Sequence, residues 1–260
     1  MDPTSCTGGR QQIFPFSFTD RNKTTNSTGS PHRFPHLLNQ RRFYYCMSVH
    51  HHQVQLVHHT NKGDELVAYM ARVSNPANQH NTETSAKLIK YLIKHKHWSP
   101  FEMVNMCVEI ETTRAVAAQI LRHRSFSFQE FSQRYADASL LGTGVMPELR
   151  LQDPVNRQNS IEVEEEDLFL KQEIKQLYKH SELVYRKLLE AGVAKECARD
   201  VLPLSTPTRM YMNGTLRSWI HYCDLRCSNG TQKEHKVIAD QCKELLAMCF
   251  PACYAAVWAV

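Results

Sequence analysis

Stretches of period two and stretches of helical period in one chain predict a fold that mixes strands with helices. Val104, Met106, Val108 and Ile110 alternate with Asn105, Cys107, Glu109 and Glu111, the pattern of a half-buried strand. Leu88, Ile89, Leu92 and Ile93 recur at helical spacing, as do Leu168, Ile174, Leu177, Val184 and Leu188. With 260 residues, 42% of them hydrophobic and 22% charged, the chain can bury a core without disulfide or metal support.

In chain order, residues 1–46 are rich in Gly, Ser, Thr, Asn, Pro and basic residues and lack periodic apolar positions, so they read as a disordered extension. Met47 is an alternative start, and the acid-poor leader also has the composition of a transit peptide. The folded domain is expected over residues 47–260. Residues 48–59, with Val54 and Leu56 alternating with Gln53 and Gln55, read as a strand; adjacent His50, His51 and His52 would point to alternate faces and form a solvent-facing rim rather than a metal site.

Residues 64–73 follow as a helix with Leu66, Val67, Met70 and Ala71 on one side, and Thr82 or Thr84 is placed to cap the next one, which runs to Lys94. Pro100 breaks the chain before the alternating strand. Thr112 or Thr113 then opens a helix through Leu121, and residues 135–159 read mainly as loop. The longest helix is expected over 164–191, with Gly192 as its stop and the acidic residues of 162–167 complementing its dipole. A short helix over 194–201, one over 208–224 and one over 232–248 complete the chain before an apolar tail.

The net charge of +5 and a pI of about 8.7 permit anionic ligands without choosing among them. Nine scattered cysteines with no CxxC pair read as reduced, mostly buried thiols of a cytoplasmic protein, with a zinc site or disulfide framework as the alternative. No apolar run approaches the roughly 20 residues that span a bilayer, so no transmembrane helix is expected.

The chemistry concentrates in Arg122, His123, Arg124, Ser127, Glu130, Ser132 and Arg134, directly after an apolar helix-forming run. Fixed guanidinium forks suit phosphate, although charge alone is equally consistent with a solvated face. A second basic group, Arg209, Arg217, His221 and Arg226, lies late in the chain, with Arg217 and His221 four apart on one helical face. The Phe126, Phe128, Phe131 and Tyr135 rings among the arginines would also suit nucleic acid, but basic residues are spread along the chain and no nucleic-acid motif is present. Neither GxGxxG nor a P-loop is present.

The Arg122-His123-Arg124 triplet, a seven-residue spacer, Ser132 and then Gln133-Arg134-Tyr135 resemble the signature of the flavin-dependent thymidylate synthases. The resemblance extends over about residues 48 to 250 and includes Ala71-Arg72-Val73-Ser74, Ser99-Pro100-Phe101-Glu102, Gln119, the block from Ala198 to Leu204, and Asp224-Leu225-Arg226. It implies an α+β fold with a central, mostly antiparallel sheet and flanking helices. It also implies a homotetramer that makes dTMP from dUMP, with 5,10-methylenetetrahydrofolate as carbon donor, FAD as hydride carrier, NADPH as reductant and no cysteine nucleophile.

Carried over by position, Ser99, Arg122, His123, Arg124, Glu130, Thr215, Arg217 and His221 resemble flavin-site residues, with Ser74 and His97 as further members. Gln119, Arg122, Glu130, Phe131, Ser132, Gln133, Arg134 and Arg199 resemble the dUMP site, assembled across subunits, and Arg226 matches the catalytic arginine that stabilises charge on the pyrimidine. Ser132 reads as a binding hydroxyl, since no His/Asp pair is placed in sequence to activate it. No metal ligand, nucleic acid or membrane is implied. The chain departs from the family pattern at Gln129 and Thr215, where asparagine is usual, and at Met103, where histidine is usual.

Overall fold

The computed structural model describes residues 52–163 and 167–259. The expected extension, the first residues of the predicted first strand and Glu164, Glu165 and Glu166 lie outside the described residues.

Strands β1 (Gln53–His59), β2 (Asn105–Thr113), β3 (Phe126–Glu130) and β6 (Pro207–Thr215) form a sheet of order β1-β2-β6-β3, antiparallel throughout. Between β3 and β6 the chain forms a small hairpin of β4 (Leu151–Gln152) and β5 (Ser160–Ile161). Period two sorts the side chains. Met106, Val108 and Ile110 of β2 and Met210 and Met212 of β6 are fully buried, while Glu109, Glu111, Arg209 and Tyr211 face the other way.

Helices α1 (Gly63–Ala71), α2 (Ser85–Lys94), α3 (Arg114–Ile120), α4 (Leu168–Glu190), α5 (Lys195–Ala198), α6 (Leu216–Arg226), α7 (Lys233–Cys249) and α8 (Pro251–Trp258) supply the rest. Val116 and Ile120 of α3, Trp219 and Tyr222 of α6, and Ile238 and Leu246 of α7 join the inward strand residues in one core, with Phe101 and Phe250. Register fixes where the site begins. Gly214 faces Met106 on one side and Phe126 on the other, and a Cβ at Gly214 would meet the Phe126 ring.

Several expectations are corrected. Residues 208–215 are strand, not the start of a helix: Thr208, Met210 and Met212 are buried in alternation, and the methionines read as helical only when grouped with Leu216 and Trp219. The segment after the triplet forms an edge strand, Phe126–Glu130. The apolar tail forms α8, with Pro251 in its first turn where no N–H is needed.

Thr84 precedes α2 without capping it; its hydroxyl accepts from Arg72 Nη2 at 2.8 Å. Asp167 is the cap of α4, accepting from the N–H groups of Phe169 and Leu170, whereas Glu162 reaches Lys233 instead of the α4 dipole. Gly192 follows α4 at φ +79, as a helix stop requires. His52 is half-buried with Nδ1 2.8 Å from Thr112 Oγ1, so it is not part of a solvent rim; His50 and His51 lie outside the described residues. The described cysteines are free thiols, and Cys223, Cys242 and Cys253 are buried.

Candidate active site

Ile120 ends α3, and the chain turns through Arg122, His123 and Arg124 into β3; the N–H of His123 donates to the Ile120 carbonyl at 3.0 Å. The triplet is split by burial. Arg122 and Arg124 are exposed and have no carboxylate partner among the described residues. His123 is half-buried, with the Tyr222 ring edge-on at 4.9 Å and Arg226 Nε donating to its Nε2 at 2.9 Å. Burial, then the charges of Arg226 and Arg122, push its pKa down to about 4. His123 is thus a neutral acceptor held against a cation.

Behind it, α6 and α7 supply residues that sequence reasoning missed. His235 is fully buried, with Nε2 3.1 Å from the Tyr222 hydroxyl and Nδ1 3.3 Å from Gln119 Oε1. Burial, Arg226 and His123 lower its pKa to about 3. No sequence signal joins these residues, because their separations exceed any local period.

At the other end of α6 the turn Ser99–Met103 brings Glu102 to Thr215 Oγ1 and Arg217 Nη1, each donating at 2.8 Å. Burial opposes ionisation of Glu102, but these two hydrogen bonds and the Arg217 charge hold its pKa below the usual carboxylate range. Trp98, preceding Ser99, packs at 4.8 Å on the ring of His221. Ser99, Thr215, Arg217 and His221 are therefore brought to one region. Thr215 also caps α6, accepting from the N–H of Ser218. Nine residues of helix at about 1.5 Å each put Arg217 and Arg226 roughly 14 Å apart along the axis.

Glu130, Phe131, Ser132, Gln133, Arg134 and Arg199 lie at the far end of β3, whereas Ser74 follows α1 and His97 packs beside Tyr91 and His95 after α2. Glu130 accepts from Arg114 Nη1 at 3.0 Å and Thr208 Oγ1 at 2.9 Å, which fixes its carboxylate. It opens a cleft of about 490 Å³ with Phe131, Ser132, Tyr135, Arg209 and Tyr211. Gln133 is buried with its Nε2 unpartnered. Arg134 pairs with Glu196, and Arg199 Nε donates to the Glu196 carbonyl, so α5 gathers both arginines beside the cleft segment. Arg114, Thr208 and Glu196 were not among the expected site residues, and only the fold brings them in; Arg209, read with Arg217, His221 and Arg226 as one basic group, instead lines the cleft beside Glu130.

Exposed guanidinium groups beside a neutral histidine, with fixed carboxylates and a cleft on an α+β scaffold, suit phosphate-bearing ligands. The model of the thymidylate synthase complementing protein family matches residues 55–252. A protein of Paramecium bursaria Chlorella virus 1, named a probable flavin-dependent thymidylate synthase, is 53% identical over 199 residues, covering 76% of this chain and 91% of that protein. The flavin-dependent thymidylate synthase of Synechocystis sp. is 49% identical over 193 residues, covering 74% and 87%. The crystal structure of a UMP/dUMP methylase from Streptomyces cacaoi bound with 5-Br dUMP superposes with a TM-score of 0.72 at 27% identity, covering 80% of this chain and 95% of that one. This chain belongs to the flavin-dependent thymidylate synthase family.

Proposed function

We propose that this chain is an FAD-dependent thymidylate synthase, converting dUMP to dTMP with 5,10-methylenetetrahydrofolate as carbon donor and NADPH as reductant. Family membership carries the reaction. The observation that ties it to this chain is the Arg122-His123-Arg124 turn, with two cations left for a ligand and the imidazole held by Arg226.

The donor set fits a flavin dinucleotide. Arg122 and Arg124 supply charge for its diphosphate, and Ser99, His123, Arg217 and His221 supply polar edges within reach of α6. The Thr215 hydroxyl is engaged with Glu102 and Ser218, so its part is to hold Glu102 and the start of α6. When bound, FAD supplies the hydride that completes the methyl group. Gln119, Arg122, Phe131, Ser132, Gln133, Arg134 and Arg199 bind dUMP. Glu130, an acceptor-only group fixed by Arg114 and Thr208, suits ligand N–H or O–H donors at either site. Arg226 uses Nε on His123 and is thereby preorganised, so its charge stabilises negative charge developing on the pyrimidine without reorganising.

Residues 47–260 act as one catalytic domain, and four copies assemble with sites between subunits. The exposed apolar side chains Leu168, Phe169, Leu170 and Leu177 of α4 support an assembly that covers them. Among the described residues no helix is long and apolar enough to cross a membrane, and the free thiols suit the cytoplasm.

The test is dTMP formation by the purified protein with dUMP, FAD, NADPH and methylenetetrahydrofolate, each omitted in turn. Product that depends on all four supports the reading. Flavin binding by a folded tetramer without product would assign the chain another substrate or a scaffold role, and steeply salt-dependent oligonucleotide binding without flavin or dUMP affinity would favour a nucleic-acid module.

A further inference from the structure

A chain of hydrogen bonds runs from the small hairpin to the centre of the candidate site. Arg150, just before β4 and with its side chain 11% exposed, donates Nη2 to Glu234 Oε1 at 2.6 Å. Gln232 Nε2 donates to the other oxygen of Glu234 at 2.8 Å, and Gln119 Nε2 donates to Gln232 Oε1 at 2.5 Å. Gln119 Oε1 then meets His235 Nδ1 at 3.3 Å, and His235 Nε2 meets the Tyr222 hydroxyl at 3.1 Å.

One carboxylate sets the direction of every link. Burial opposes ionisation of Glu234, but its backbone hydrogen bond and those from Arg150 and Gln232 hold its pKa below the usual range, so it only accepts. Gln232 must turn its NH2 toward Glu234 and its oxygen toward Gln119. Gln119 must therefore turn its NH2 toward Gln232 and its oxygen toward His235. A neutral His235 then carries its proton on Nδ1 and accepts from Tyr222 O–H on Nε2. Reversing the Gln119 carboxamide would set two acceptor oxygens 2.5 Å apart with no proton between them.

We propose that Glu234 and His235 are positioning residues that lock the Gln119 carboxamide in one orientation at the dUMP site, an inference that rests on the assignment of Gln119 to that site. Neither residue needs to touch dUMP. The same chain ends at Tyr222, whose ring packs on the His123 that Arg226 holds, so one network orients Gln119 and backs the catalytic arginine.

Two measurements on the full-length protein test this. In 15N-histidine-labelled protein, with the His235 signals assigned by their loss in His235→Asn, two-bond 1H–15N spectra are expected to show Nδ1 protonated. A proton on Nε2 would overturn the proposal. Kinetically, Glu234→Gln, and Gln232→Leu at an exposed position that leaves the Arg150–Glu234 pair intact, are each expected to raise KM for dUMP about three- to tenfold with kcat within about twofold. Adding Gln119→Ala to Gln232→Leu is expected to bring no further rise, as links of one chain are not additive. An unchanged KM in Gln232→Leu alongside a raised one in Gln119→Ala overturns the positioning role. An unchanged KM in Gln119→Ala overturns the placement of Gln119 at the dUMP site, and the His235 tautomer tells that failure apart from a failure of the network.

Discussion

Arg226 and Arg217 sit on the same helix but serve different neighbours, and that difference makes their proposed roles separable. Arg226 is turned inward onto His123, whereas Arg217 is half-exposed and paired with Glu102 beside His221. Arg226→Ala is expected to lower turnover by at least about a hundredfold while flavin stays bound, as for loss of one preorganised electrostatic group. Arg217→Ala is expected to weaken flavin retention about tenfold or more. Turnover by single-turnover assay and retention by flavin absorbance after dialysis check the pair, and equal flavin loss in both would contradict the division. Two histidines held neutral make a pH prediction. His123 and His235 titrate at about 4 and about 3 when folded, against 6.5 unfolded, so the unfolded state binds more protons between those values. Stability is expected to fall as pH drops below about 6.5, before the carboxylates add their share, and thermal melts of wild type and His235→Asn from pH 8 to 4 should show a shallower acid slope in the variant. The triplet was legible through its spacing to Ser132, and Arg226 through the resemblance of Asp224-Leu225-Arg226 to the family pattern. Tyr222 and His235 were not, because a buried polar partner looks like any other helix residue until its contact is formed.

Secondary structure was legible where one period ran unbroken. The alternation of β2 and the stripes of α2 and α4 are cases in point. It failed at residues 208–224, where β6 passes directly into α6 after Thr215 with no residue between them. Side-chain capping by Thr215 makes that transition, and a lone threonine gives little warning of it. Gly214, one residue earlier, has a packing reason to be glycine, since the Phe126 ring occupies the space beside it. Gly214→Val is expected to destabilise the fold by about 1 to 3 kcal/mol in urea denaturation and to displace β3, lowering flavin affinity with it. Asp167→Ala, which removes the α4 cap far from the triplet, is expected to cost about 1 kcal/mol with dTMP formation unchanged. If both lose activity in proportion to stability, the site is sensitive to global stability rather than to the placement of β3.

At the scale of the whole molecule, the proposed dUMP residues fall into groups that one chain holds apart. Gln119, Arg122 and Arg226 gather around the end of α6, while Ser132, Arg134 and Arg199 gather beyond Glu130 at the far end of β3. Phe126 to Glu130 alone spans about 13 Å at the usual strand rise. A nucleotide held by both groups is most simply served by two chains, each lending a different end of β3, which is the arrangement that sites between subunits require. Complementation tests it directly. Arg226→Ala and Arg199→Ala are each expected to be nearly inactive as pure assemblies. Co-expressed with different tags and purified through both, they are expected to form hybrids that regain dTMP synthesis, because some sites then draw Arg226 and Arg199 from intact contributors. Hybrids as inactive as their parents would place both arginines in a site built by one chain, and the distance between the groups would then have to be closed by movement of the segment after Glu130.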